Sequence, residues 1–257
     1  MPNGARILLY DLEVTPILGW TYGIWDTRVI RTERDSHLMC FAYKWLGEDE
    51  THVVSLPDFP RYTRDKYNDK DVVAALHALF DEADIVVAHN ANKFDNKISM
   101  GRFLYHGFPP PSPVKTVDTL TSAKRYFKCS QYTLDALCKM LNIGCKSAVT
   151  HAALWRRCLD GDMDAWSAMA EYNINDIEML EGLYLKLRPY ISNHPNLSMF
   201  DKASACPKCG SDKLQYRGLQ RSSVATYRRV QCQECGAWSR ERQADKDTES
   251  PKITNIT

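Results

Sequence analysis

The sequence predicts an α/β domain followed by a small cysteine-bound module. Three observations predict it. Short apolar runs rich in Val, Ile, Tyr, Phe and Trp come first and are then interleaved with longer segments of helical spacing. Nine cysteines occur in 257 residues, and the last four fall into two C-x-x-C-G pairs. The composition is that of a globular chain, 44% apolar. With 33 Lys+Arg against 32 Asp+Glu, a uniformly basic nucleic-acid coat and a strongly acidic tail protein are excluded. No apolar stretch is long enough to span a membrane. The start, MPNGARILLYDLE, lacks the apolar core of a signal peptide, so a cytoplasmic location is expected.

The elements follow in order. Residues 6–12 read as a buried strand ending in acid. Residues 20–30 and 37–46, rich in aromatic and β-branched side chains, read as two more strands, and 51–55 as a fourth. Val72, Val73, Leu76, Leu79 and Phe80 have helical spacing over 70–82. Ile85–Ala88 is a short apolar run, read as a central strand, with a helix over 93–106. Pro109, Pro110, Pro111 and Pro113 make a stiff turn before a strand at 114–117. Helices are expected near 118–126, 132–141 and 150–159, and a long one over 162–188, stopping before Pro189. The first domain is thus 1–191. Residues 192–205 read as a linker, 206–240 as the cysteine module and 241–257 as a disordered tail.

Cys40, Cys129, Cys138, Cys145 and Cys158 are scattered singly and read as small core hydrophobes. Cys206, Cys209, Cys232 and Cys235 form the two pairs. A glycine after each pair lets backbone amides turn toward the sulfurs, and four thiolates make a tetrahedral zinc set. A rubredoxin-like iron site or two redox dithiols would use the same spacing. The 22 residues between the pairs suffice for a β-hairpin, and Val224–Val230 alternates like a strand. One structural zinc in a zinc ribbon is the expectation.

Asp11 and Glu13 lie two apart at the end of the first strand, so both carboxylates face one side. Like charges that close raise one another's pKa, and divalent cations are the usual compensation. Asp95 follows the polar turn His89–Asn90–Ala91–Asn92 and lies early in a helix, where amide dipoles favour a carboxylate. Tyr172 and Asp176 are four apart on the long helix and share a face. Taken singly, each has a bland alternative: a solvent-facing pair, a helix-entry Asp, an acidic helix with Tyr172 in the core.

Together and in this order, Asp11-Leu-Glu13, Asn90 to Phe94-Asp95 and Tyr172 to Asp176 resemble the three motifs of DEDDy-type 3′–5′ exonucleases. Lys115–Leu120 and the helix with Leu134 and Leu137 also look like that family's middle section. The resemblance covers about residues 5–190 and is similar to the proofreading domains of family-B DNA polymerases. It is nearest in kind to stand-alone enzymes, often viral or bacterial, in the host cytoplasm if viral. Ala91 replaces a frequent glycine. The resemblance implies a ribonuclease H-like mixed sheet flanked by helices. It implies two Mg²⁺ or Mn²⁺ ions held by Asp11, Glu13, Asp95 and Asp176, with Asp11 as bridge. Tyr172 would orient the attacking water, and Glu13 would reach that water or the 3′-OH. Asn90 and Phe94 become candidates for backbone and terminal-base contacts. Asp118 is a candidate substrate contact or a support for the site, or else a helix N-cap, and His89 a structural residue.

Residues 201–240 carry eight basic and three acidic residues with Tyr216, Tyr227 and Trp238 interleaved. Lys213, Arg217, Arg221, Arg228 and Arg229 are therefore candidate substrate contacts. The same module could instead dock a replication or recombination protein, and Tyr227 and Trp238 could be its small core. The reading is a metal-dependent exonuclease on single-stranded or 3′-ended DNA. RNA as substrate, or a non-catalytic zinc-ribbon nucleic-acid adaptor, stays open at this point.

Overall fold

The computed structural model describes residues 4–25, 27–145, 151–201, 203–244 and 246. The tail expected over 241–257 lies largely outside the described residues. The chain divides into two compact units, Arg6–Tyr184 and a second made of Met1–Ala5 with Leu185–Thr257. Among the described residues no helix is long and apolar enough to cross a membrane.

The first unit is built on β1 (Ile7–Val14), buried from Ile7 to Tyr10. Burial on both faces explains why the strand reads as a continuous apolar run rather than an alternating one. Next comes a hairpin of β2 (Leu18–Trp20) and β3 (Arg31–Arg34), which forms a separate two-stranded sheet. The strand expected over 20–30 is therefore corrected: that stretch is mainly the connection between β2 and β3. Tyr22, Ile24 and Trp25 are 81%, 87% and 92% exposed. Strand-favouring side chains describe a half-buried pleated surface, and among the described residues no neighbouring strand supplies one here.

β4 (Leu38–Trp45) pairs antiparallel with β1, and β5 (His52–Ser55) antiparallel with β4. α1 (Lys70–Glu82) buries Val72, Val73, Leu76 and Phe80. β6 (Ile85–Ala88) and β7 (Lys115–Asp118) add parallel to β1, giving the order β5-β4-β1-β6-β7. α2 (Asp95–Tyr105) joins β6 to β7. α3 (Thr119–Tyr126), α4 (Leu134–Met140), α5 (His151–Asp160) and α6 (Met163–Leu187) follow. This is the expected mixed sheet with flanking helices. Its core is continuous from Tyr10, which meets Phe80 edge-on at 5.3 Å, to Phe103 at 5.7 Å from Phe80.

The second unit holds a three-stranded sheet of β8 (Leu214–Arg221), β9 (Thr226–Cys232) and β10 (Trp238–Arg240), in the order β10-β9-β8. Its buried cluster is Cys206, Cys232 and Ala237, with Cys209, Cys235 and Leu214 packed against it. So small a core needs a staple. Residues 192–205 are not a bare tether. Leu197 is buried in a 3-10 turn, and its amide donates to the Pro207 carbonyl at 2.9 Å. Lys208 is 7% exposed and its ammonium donates to the carbonyls of Ile191 and Ser192. An apolar anchor and a buried lysine whose ammonium is satisfied by backbone carbonyls tie down a stretch whose polar composition reads as linker.

Candidate functional site

The pairing of β1 with β6 ends at Leu9–Val87, whereas its pairing with β4 continues to Val14. Asp11 and Glu13 lie beyond the point where β1 and β6 part, at the carboxyl end of the parallel strands. Open α/β sheets keep their crevices there. Trp155 on α5 donates its indole N–H to Glu13 Oε2 at 3.0 Å. No spacing rule marks that tryptophan, and the sequence reading missed it.

After β6 the chain turns through Asn90, which holds φ at 81°. Asparagine tolerates this left-handed conformation. The amides of Asn90 and Asn92 donate to Asp118 at 3.2 and 3.1 Å, and the Thr121 amide donates to it at 3.0 Å. Asp118 is 4% exposed. Its expected place among substrate contacts is corrected, because three backbone amides occupy its carboxylate. It caps α3 and fixes the turn that presents Asn90 and Phe94. His89 serves the same turn, bonded to Thr119 Oγ1 and the Tyr132 carbonyl, each at 2.9 Å.

Asp95 is the first residue of α2 and is 1% exposed. Neither carboxylate oxygen has a side-chain hydrogen-bond partner. Burial pushes its pKa up to about 7. The nearby Asp95 and Leu12 amides oppose that rise, and the Asp118 and Glu13 charges add to it. A buried carboxylate without side-chain donors is costly, and a cation is what would relieve it.

Tyr172 and Asp176 sit one turn apart on α6, 4% and 3% exposed, and the phenol hydrogen-bonds the carboxylate. Burial, then the Asp176, Glu13 and Asp11 charges, raise the phenol's pKa well above its usual value. The register of α6 is held by Asn173, whose amide donates to Cys40 Sγ at 3.1 Å, and by Lys44–Glu181 at 2.7 Å. Cys40 pairs with Glu13 across β4 and β1. Helix and strand acids are thereby brought to one place.

Asp11, Glu13, Asn90, Phe94, Tyr172 and Asp176 all line one cleft of about 800 Å³. Trp155, Lys124 and Tyr132 also face it. The acids stand wider than the cysteines. Among the described residues, the group of three or more metal-donor atoms all within 4.8 Å is Cys206, Cys209, Cys232 and Cys235. The carboxylates nonetheless fit divalent cations on chemical grounds. They are hard oxygen donors around a buried Asp95 that has no cationic partner.

In the second unit, Cys206 Sγ lies 3.8 Å from Cys235 Sγ, and Cys209 Sγ 3.6 Å from Cys232 Sγ. Sulfurs about 2.3 Å from a tetrahedral zinc stand about 3.8 Å from one another. A disulfide would need about 2.05 Å. Every sulfur also receives an amide from two residues on: Cys206 from Lys208, Cys209 from Ser211, Cys232 from Glu234 and Cys235 from Ala237. Gly210 and Gly236 make the turns at φ 75° and 76°. The donor set and its spacing fit zinc.

The five ribbon cations do not form one patch. Lys213 is paired with Glu234 at 2.7 Å. Arg217 and Arg229 gather at Trp238, while the strand alternation puts Arg221 and Arg228 on the other face of the sheet.

A family model of the RNase_H superfamily, RNase_H_2, matches residues 31–188. No curated protein matches the chain. Among solved structures, the family B DNA polymerase of the hyperthermophilic archaeon Pyrobaculum calidifontis is similar, at TM-score 0.56 and 16% identity. The match covers 72% of this chain and 25% of that one. With more than half its length within the family model, and with the five-stranded sheet and helices just described, the chain belongs to the RNase_H superfamily.

Proposed function

We propose that this protein is a divalent-metal-dependent 3′–5′ exonuclease that removes nucleotides from DNA 3′ ends by phosphodiester hydrolysis. The observation that carries the reading is Asp95. Its carboxylate is buried, has no side-chain hydrogen-bond donor and no cationic partner, and lies within electrostatic reach of Glu13 beside an open cleft. The order of Asp11-Leu-Glu13, Asp95 and Tyr172 to Asp176 supports the exonuclease class, and the likeness to a DNA polymerase supports DNA as substrate.

Asp11, Glu13, Asp95 and Asp176 would hold the ions. Bound there, divalent ions supply positive charge that makes water a stronger acid and stabilises a leaving 3′ oxygen. Tyr172 acts as a donor and not as a base, since its phenol is held protonated. It would orient a water beside Asp176. Trp155 fixes the rotamer of Glu13. Phe94 is 40% exposed at the cleft and offers a face for the terminal base. The test is magnesium-dependent shortening of 3′- and 5′-labelled single strands. A ladder that shortens from the 3′ end, lost in Asp11→Ala and Asp176→Ala, is expected. Equal degradation by those variants would overturn the assignment. Oligoribonucleotides run in parallel separate DNA from RNA as substrate.

A further inference from the structure

The second unit carries a surface that its zinc chemistry does not use. Register and contacts sort the ribbon's side chains onto two faces. Cys232, Val230 and Thr226 are buried on one face of β9, and Tyr227, Arg229 and Gln231 alternate with them on the other. Trp238 pairs with Gln231 and Arg240 with Arg229, so both join that outer face. On β8, Gln215 pairs with Gln231 and Gln220 with Tyr227. A bulge between Tyr216 and Leu219, with Gly218 at φ 75°, re-aims the strand. It turns Arg217 to the same face, where the guanidinium donates to Gln231 Oε1 at 2.5 Å.

The face so assembled holds three arginines, three glutamines and two aromatic rings, all exposed or half-buried. Among the described residues it holds no aspartate or glutamate. In a chain with nearly as many acids as bases, that segregation is a local property of this sheet. The arginines are not scattered charges. Arg229 lies over the Trp238 ring at 4.6 Å with Arg217 at 5.7 Å, and Arg240 lies over Tyr227 at 3.7 Å. Arg217 spends one N–H on Gln231 and Arg229 its Nε on the Arg217 carbonyl at 3.0 Å, and the remaining N–H groups of the stacked guanidiniums suit contact with phosphate. Beside them is a hollow of about 820 Å³ that includes Gln220, Arg229, Trp238 and Arg240 in its wall. Trp238 is 46% exposed, leaving ring surface open for a base.

We infer that this outer face, Arg217, Arg229, Arg240, Tyr227 and Trp238, is a binding site for single-stranded nucleic acid, with arginine on the phosphates and Trp238 stacked on a base. The inference rests on the nuclease reading for its substrate class, and on the ribbon alone for its geometry. The glutamines can bond any base edge, so the grip is tolerant of sequence. It excludes Lys213, which Glu234 neutralises, and Arg221 and Arg228, which point the other way.

The experiment uses the full zinc-loaded chain and a fluorescein-labelled oligothymidylate of about 20 nucleotides, without magnesium so that the strand is not consumed. Anisotropy gives the affinity, and zinc content near one per chain verifies each variant's ribbon. Arg229→Gln with Arg240→Gln should weaken binding about tenfold or more and lower the slope of log K against log salt by about 1 to 1.5. Trp238→Ala should cost about tenfold, Trp238→Phe should restore most of it, and Lys213→Gln should bind like the parent. Arginine and Trp238 variants that bind within about twofold of the parent, or a parent that does not bind the strand, overturn the inference. Adding magnesium to the parent separates the two readings. Binding through this face without 3′ shortening sinks the nuclease and leaves the site. Shortening with unchanged affinity in the variants sinks the site and leaves the nuclease.

Discussion

Asp69 and Asp95 lie in the same unit, 0% and 1% exposed, and the fold treats them in opposite ways. Asp69 accepts the Leu38 amide at 2.8 Å, both arms of Arg102 at 2.8 and 2.5 Å, and His106 Nε2 at 2.6 Å. Burial alone would raise its pKa, but those partners outweigh burial and leave it lowered. Asp95 has no side-chain donor and no cation beside it, and is raised to about 7. The contrast is sharpened by geography, because the guanidinium that serves Asp69 comes from α2, the helix that Asp95 begins. This fold can supply cations to a buried carboxylate. At the carboxyl end of β1 it supplies more acid instead. Asp69 is neutralised from within, and Asp95, on the proposed reading, is left for a ligand.

The largest expected effect lies on the Asp95 side. Asp95→Asn keeps the shape but removes a charged ligand. Cleavage should fall about a thousandfold or more, roughly 4 kcal/mol of barrier, with zinc content unchanged. A variant retaining a tenth of the parent's rate would erase the distinction between the two aspartates. Asp69→Ala should act on stability, not chemistry. It strands Arg102 in a part-buried site and should cost about 3–5 kcal/mol in urea unfolding. A loss below about 1 kcal/mol would show that the network is ornamental.

The pH dependence separates the two further, with opposite signs. Asp69 has a lowered folded pKa, so its contribution is present above the unfolded value and is lost as acid carries the pH down through the folded one. Asp95 has a raised folded pKa. Between about pH 4 and 7 the folded state holds the extra proton, so metal-free stability falls as pH rises through that window. Magnesium or manganese should reverse this, with a thermal midpoint gain of a few degrees that is larger at pH 8 than at pH 6. An equal gain in Asp95→Asn would mean that the ions bind elsewhere. The smallest effect is expected at Trp155→Phe, which removes the donor to Glu13. Turnover should drop about three- to tenfold with folding intact. An unchanged rate would make that hydrogen bond incidental.

Much of the site was legible because the chemistry sits on regular periods. Two residues along a strand put Asp11 and Glu13 on one face, and four along a helix did the same for Tyr172 and Asp176. The ribbon was legible because thiolate spacing is itself the geometry of a metal knuckle. Other features were not. The 20–30 stretch reads as a strand by its residues, yet among the described residues no partner strand covers it. Asp118 reads equally as cap or contact until the Asn90 and Asn92 amides are seen to claim it. Trp155 carries no pattern at all, since it reaches Glu13 from 142 residues away in the chain. The ribbon's arginines look like one cluster in the sequence, and the bulge at Gly218 helps decide which of them share a face.

The sequence by itself determined the α/β class, the helices, the order of the acidic motifs and the two cysteine knuckles. These depend on local periodicity and on short spacings that survive in any context. Only the tertiary structure decided that Asp95 is buried with no side-chain donor or cation while Asp69 is fully paired, that Asp118 supports a turn, and that three arginines and two rings share a face free of acids among the described residues. Burial, hydrogen-bond satisfaction and strand register are set by what the rest of the chain brings alongside, and no single segment contains that information.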